Sequence, residues 1–457
     1  MPTETRPQSW AVVGGGFLGI TLALRLRQAG HRVTLIEAAP EFGGLAAPWQ
    51  IGDITWDKHY HVTLMSDLRT RALLGECGLE QDMQWVETRT GFFTGGKLYS
   101  MSNTLEFLKF PPLGLIDKLR LGATIFFASK IKSPRKLEKI NVCDWLRRLS
   151  GKNTFEKIWR PLLRAKLGPN YDRVSAAFIW AIIARMYAAR NSGLKKEMFG
   201  YLPGGYARFL DGLVVLLERE GVRLQAGTPV HSITADPATG KQLINGSMAF
   251  DQVAVTLPAR PALDVCGEQL GAAELAQHRA IEYQGIICAS AILKKPVAGY
   301  YVTNITDPAP FTAVIEMTAL VDPEHLKGNH LIYLPKYVPR DDEENFAKSD
   351  AEIEAEFTAA LLNMYPHLGA DDITAFKISR ARDVLALATE NYSQKLPQIT
   401  TQAGNLHLVN SSHIVNGTLN INETIQLAEQ AAQTLATIPP PAQRRPSETS
   451  TALAGAL

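Results

Sequence analysis

AVVGGGFLGITLALRLRQAGHRVTLIEAAPEFGG, residues 11–44, decides the fold. Two glycine clusters flank one apolar helical pattern. Residues 10–13 form a short apolar run with strand character. Gly14, Gly16 and Gly19 fit G-x-G-x-x-G, and residues 20–28 then read as a helix that Gly30 stops. A second strand covers residues 32–36, and Glu37 follows 18 residues after Gly19. In such a unit the first glycine makes the tight turn, the second admits a pyrophosphate, and the third lets helix and strand pack closely. The helix N-terminus offers unpaired N–H groups to the phosphates, and the acid reaches a ribose hydroxyl.

The rest of the chain bounds the alternatives. With 457 residues it can bury a large core and divides into two domains, and a net charge of +2 gives no argument for nucleic acid. The four cysteines, Cys77, Cys143, Cys266 and Cys288, are scattered, without metal spacing. They imply reduced thiols and a cytoplasmic protein. The polar N-terminus leads straight into the first strand, so no signal peptide is expected. Residues 438–457 are rich in Pro, Ser and Thr and read as a disordered tail. Between Lys109 and Lys139 eight basic residues stand against two acids, with apolar groups between them. Such a stretch is either a solvated helix face or a peripheral contact with an anionic membrane.

The second cluster, Glu41-Phe-Gly-Gly44, is more than a nicotinamide dehydrogenase needs. Together with "YHVTLMSD" (60–67), "GYLPGGYARFLDGLVVLLEREGVRLQAGTPVHSI" (200–233), "FDQVAVTLPA" (250–259) and "GNLHLVNSSHIVNGTLNINETIQLAEQAAQTL" (404–435), it resembles the flavin amine oxidase, protoporphyrinogen oxidase and phytoene desaturase superfamily. The resemblance implies an α/β protein: a Rossmann-type, glutathione-reductase-like FAD-binding domain with an inserted α+β substrate domain. It implies a discontinuous FAD domain of residues 8–95, 196–262 and 386–437, and a substrate domain of residues 96–195 and 263–385.

The same resemblance implies non-covalent FAD on Gly14, Gly16, Phe17, Leu18, Gly19, Glu37, Ala38, Gly43, Gly44, Leu45, His61 and Val230. Asn410 and Ser411, which stand where the family has Gly-Asp, and Asn416, Leu419 and Asn420 complete that set. His61 and Tyr60 are the candidate catalytic groups, His61 either titrating beside the flavin or packing against it. Amine oxidases of this superfamily carry a lysine whose place falls here near Ile287 or Cys288, with Lys294 and Lys295 at the far end of that strand. Its absence favours an oxidase or desaturase that takes hydride from a largely apolar small molecule. Arg160 and Arg164 share a helix face and could clamp a carboxylate or phosphate, although a solvated face is the plainer reading. Residues 178–190, apolar at helical spacing, could line a greasy pocket, although plain core is the better reading. Two other resemblances stay open: a UDP-galactopyranose mutase, which uses flavin without net redox change, and a lipid-binding escort of the Rab GDP-dissociation inhibitor type.

Overall fold

The computed structural model describes residues 6–190, 198–415 and 418–440. Five parallel strands form the first sheet, in the order Arg223–Gln225, Arg32–Ile36, Ser9–Val13, Gln252–Val255, Leu406–Leu408. Three separate stretches of chain contribute its strands. Ser9–Val13 lies at the centre, and Trp10, Ala11, Val12 and Val13 are all buried. A central parallel strand is covered on both faces and so reads as a continuous apolar run. The helix Phe17–Gln28 packs beneath it, against the helices Gly205–Glu220 and Ile421–Leu435. Its Ile20, Leu22, Leu24 and Leu26 are fully buried because neighbours enclose it on nearly every side.

The second sheet has seven strands, in the order Ile373–Ala386, Tyr283–Leu293, His330–Pro339, Ala313–Glu316, Val302–Ile305, Thr90–Thr94, Lys97–Ser100. The strand Tyr283–Leu293 is buried along its whole length. Thr90–Thr94 falls within the 8–95 segment assigned to the first unit, yet it pairs in parallel with Val302–Ile305 in this sheet. Alternation explains the placement: Phe92 enters the helical core, and Phe93 packs on the opposite side against the Ile305 and Val314 cluster. The helices Leu115–Lys130, Val142–Ser150, Arg160–Leu167 and Ala176–Arg190 close the other side around Phe110, Trp145, Phe155, Trp159 and Phe178. The indole N–H of Trp159 donates to Ser150 Oγ at 2.9 Å, which satisfies the one polar group of that ring. No described helix is long and apolar enough to cross a membrane.

Candidate active site

The two glycine clusters meet. Gly43 N–H donates to Gly15 O at 2.8 Å, and Gly16 and Gly43 form an isolated parallel bridge. Gly43 takes φ of +134°, open to glycine at no steric cost. A Cβ on Gly44 would stand 3.2 Å from Gly16 Cα, so the clusters lie backbone against backbone. A Cβ on Gly19 would come within 1.8 Å of Gly14 O, which is the close helix–strand packing that the third glycine permits. Beside them Glu37 accepts N–H bonds from Gly15 at 2.5 Å and from Ala39 at 2.9 Å. Gly16 caps the helix Phe17–Gln28 without a side-chain bond, so no side chain competes for its first N–H groups.

A cavity of about 970 Å³ opens from this cradle, lined there by Gly14, Gly16, Phe17, Leu18, Glu37, Gly43, Gly44 and Leu45. Bare backbone, an uncapped helix N-terminus and an acid beside them on the cavity wall fit a dinucleotide, and FAD is the cofactor they suit. Ala38 is exposed and does not line the cavity. Neither does Val230, which packs at the edge of the Ile36 and Val253 cluster. Its segment is still tied to the acid's strand, because Thr228 N–H donates to Glu37 O at 2.8 Å.

His59, Tyr60 and His61 all line the cavity. His59 is locked: Nδ1 bonds Leu45 O at 3.0 Å and Nε2 meets Ser379 Oγ at 3.1 Å. The carbonyl can only accept, so Nδ1 carries the proton. His61 packs its ring 4.9 Å from that of Tyr206, and its Nδ1 lies 3.9 Å from Asp57 Oδ2 without a hydrogen-bond partner. Burial, aided by the neighbouring His59, drives the His61 pKa down to about 3. At neutral pH His61 is therefore an uncharged imidazole. The group that titrates near neutrality is Asp57, missed in the sequence: burial raises its carboxyl to about 7, against the pull of the Tyr206 N–H bond at 2.8 Å. Tyr60 turns its hydroxyl to Tyr337 at 2.9 Å.

At the C-terminal end Ser411 lines the cavity and Asn410 does not. Asn410 is buried and caps its own turn, its Oδ1 accepting from Ser412 N and Ser412 Oγ at 3.1 and 2.6 Å. An Asn side chain bonds local backbone readily, so it turns inward where a contact to the cofactor chain was expected. Leu419 and Asn420 reach the cavity, but the Asn420 carbonyl is spent on Glu423 N–H at 3.1 Å, as the cap of the helix Ile421–Leu435. Asn416 lies outside the described residues.

Beyond the cradle the cavity enters an apolar lobe walled by Leu162, Leu163, Phe178, Ile179, Ile182 and Ile183. Residues 178–187 thus include cavity wall as well as core. Arg160 and Arg164 are not brought to the lobe: Arg160 pairs with Glu156 at 2.5 Å, and Arg164 lies over the Tyr171 ring at 5.3 Å. The helix shows why. Positions 160 and 164 share one face, whereas Lys166 follows Leu162 and Leu163 by four and three residues and shares theirs. Lys166 therefore faces the cavity, a placement legible in the spacing. On the strand Tyr283–Leu293 the lining residue is Ile286, Cys288 is fully buried, and Lys295 pairs with Asp372 at 3.0 Å.

The chain is 24% identical over 266 residues to the zeta-carotene desaturase of Synechocystis, covering 53% of this chain and 54% of that protein. It is 25% identical over 325 residues to the coproporphyrinogen III oxidase of Mycobacterium bovis, covering 60% of this chain and 71% of that one. The chain thus spans about half the length of the zeta-carotene desaturases it matches. An oxidoreductase structure from Methanosarcina mazei superposes with a TM-score of 0.73 at 18% identity, over 93% of this chain and 100% of that one, a likeness of fold. The profile described as flavin containing amine oxidoreductase matches residues 19–436, and the chain belongs to that family.

Proposed function

We propose that the protein is an FAD-dependent oxidoreductase of the oxidase or desaturase type, taking hydride from a large and mostly apolar substrate. The observation that carries this reading is the single cavity that runs from the glycine cradle into the lobe of Leu162, Ile179 and Ile182. FAD supplies the hydride acceptor, and the chain's own groups bind, orient and exclude water. An aliphatic wall favours a substrate whose reacting C–H bond needs little proton transfer. Ile286, on the strand where an amine oxidase would place its lysine, and the uncharged His61 both fit that chemistry.

A membrane route is part of the same proposal. Leu115, Ile116, Leu119, Phe126 and Phe127 of the helix Leu115–Lys130 are exposed, at 52% to 74%, and form a large apolar ridge. Leu105 and Leu108 of the preceding helix Thr104–Lys109 are exposed as well. Ile125 of the same helix lines the cavity, so the ridge and the lobe share one element. Lys118 is not part of the charged surface, because it is buried with Nζ on Leu108 O at 2.6 Å. The other basic residues of the stretch would each add about 1 kcal/mol beside an anionic leaflet.

Two experiments test these statements. Anaerobic mixing of FAD-loaded protein with a total lipid extract should bleach the oxidised flavin band and yield a product lacking two hydrogens. No bleaching by any apolar fraction, with bleaching by polar metabolites instead, contradicts the substrate class. Sedimentation with anionic liposomes at low and high salt tests the membrane route; protein that stays in the supernatant at low salt contradicts it.

A further inference from the structure

Within the apolar lobe one polar cluster has no partner of opposite charge. Lys166 Nζ donates to Tyr337 Oη at 3.0 Å and sits 4.5 Å from the centroid of that ring. Tyr337 Oη is in turn 2.9 Å from Tyr60 Oη, and all three side chains line the cavity. The other charged groups of this part of the wall are neutralised: Arg185 bonds Asp67 at 2.7 Å, and Asp383 bonds Arg340 at 2.6 Å. Among the described residues Lys166 has no carboxylate partner. A cation left unpaired among aliphatic side chains is costly, and a wholly hydrocarbon ligand would deepen that cost.

Hydrogen counting gives the ligand's character. The lysine ammonium can only donate, so Tyr337 accepts from it. Between the two phenols one O–H bonds the other, and one O–H remains without an acceptor whichever way the pair is arranged. Burial, with Tyr337 alongside, holds the Tyr60 phenol well above its ordinary pKa, so it stays a donor. The cluster thus offers the cavity more hydrogens than it can use itself, spare ammonium N–H groups and a phenol O–H, together with one net positive charge. That set complements a monoanion with two acceptor oxygens. A dianionic phosphate would need a second cation, and Arg185 and Arg340 are already paired.

We propose that Lys166, Tyr337 and Tyr60 form the anchor for a carboxylate borne by the otherwise apolar substrate. This inference rests on the reading of the lobe as an apolar substrate site. The anchor holds the charged end while Leu162, Ile179 and Ile182 pack the remainder, which fixes the substrate's direction in the cavity.

The test uses FAD-loaded protein and cis-parinaric acid beside its methyl ester, two fluorescent probes with one apolar chain. Wild type should bind the acid at least about tenfold more tightly than the ester, the worth of a charge-assisted hydrogen bond. Lys166→Gln should erase that preference through the acid alone, with ester binding and FAD content unchanged. Lys166→Arg should keep most of it, and Tyr337→Phe should weaken the acid without touching the ester. Equal binding of acid and ester by wild type overturns the anchor and leaves the apolar lobe standing, as does undiminished acid binding by Lys166→Gln. If neither probe binds, the apolar lobe and the anchor both fall.

Discussion

Replacing Asp57 by Asn should stabilise the protein above neutral pH and make it acid-sensitive below. Asn keeps a carbonyl oxygen for the Tyr206 N–H bond, now 2.8 Å long, and removes only the charge. The Asp57 carboxyl has its pKa raised from 3.8 to about 7 by burial. Its contribution to stability is fully present below the unfolded value and is lost as pH rises toward the folded one. His61 runs the other way, lowered from 6.5 to about 3, so its contribution is present above the unfolded value and lost as pH falls. Between about pH 4 and pH 6.5 the two slopes oppose one another, each about 1.4 kcal/mol per pH unit, and nearly cancel. Above about pH 7 the wild type carries the ionised Asp57, at a cost of up to about 4 kcal/mol that the variant escapes. Below about pH 6.5 the variant lacks the Asp57 slope that offsets that of His61, so between about pH 6.5 and pH 5 it loses about 2 kcal/mol more than the wild type does. Urea unfolding of FAD-loaded protein across this range reads both effects. A variant no more stable than wild type at about pH 8, with the same loss as wild type down to about pH 5, would contradict this.

Glu37→Ala removes the acceptor for the Gly15 and Ala39 N–H groups and, in the proposed FAD site, for the ribose. It should weaken FAD binding by about 1.5–3 kcal/mol, roughly 10- to 150-fold, in an equilibrium titration of apoprotein with FAD. Gly19→Ala would set its Cβ 1.8 Å from Gly14 O, so helix and strand must part. The expected loss is about 1–3 kcal/mol or more, seen as a lower thermal midpoint with and without FAD. Phe126→Asp with Phe127→Asp should abolish sedimentation with anionic liposomes while leaving FAD content intact; unchanged pelleting removes the ridge from the membrane contact.

The parts of the fold written in local pattern were legible in the sequence. Gly14, Gly16, Gly19 and Glu37 stand at spacings that a strand–helix–strand unit demands; the structure places Gly14, Gly16 and Glu37 on the cavity wall, while Gly19 does not line the cavity and packs the helix on Gly14 instead. Pairing with distant partners was not legible. Thr90–Thr94 joins Val302–Ile305, some two hundred residues on, and nothing local marks that pairing. The helix Ala176–Arg190 is apolar on nearly every side, and periodicity cannot tell a cavity wall from a core. Asp57 looks like any acid at a strand end until the fold buries it beneath the helix Gly205–Glu220. Lys166 was readable, because its spacing from Leu162 and Leu163 sets it on the apolar face. The more conspicuous Arg160 and Arg164 lie on the face turned toward Glu156 and Tyr171.

Cofactor stoichiometry in wild type and Gly44→Val tests most directly whether the two glycine clusters together make an FAD site. Gly44 has φ of +58°, and its Cβ would stand 3.2 Å from Gly16 Cα, so a branched side chain both strains the backbone and fills the cradle. Dialysis against FAD should give one flavin per wild-type chain and almost none per variant chain, with matching circular dichroism spectra. A wild type that takes up no FAD, or a folded variant that keeps its full complement, would contradict the account.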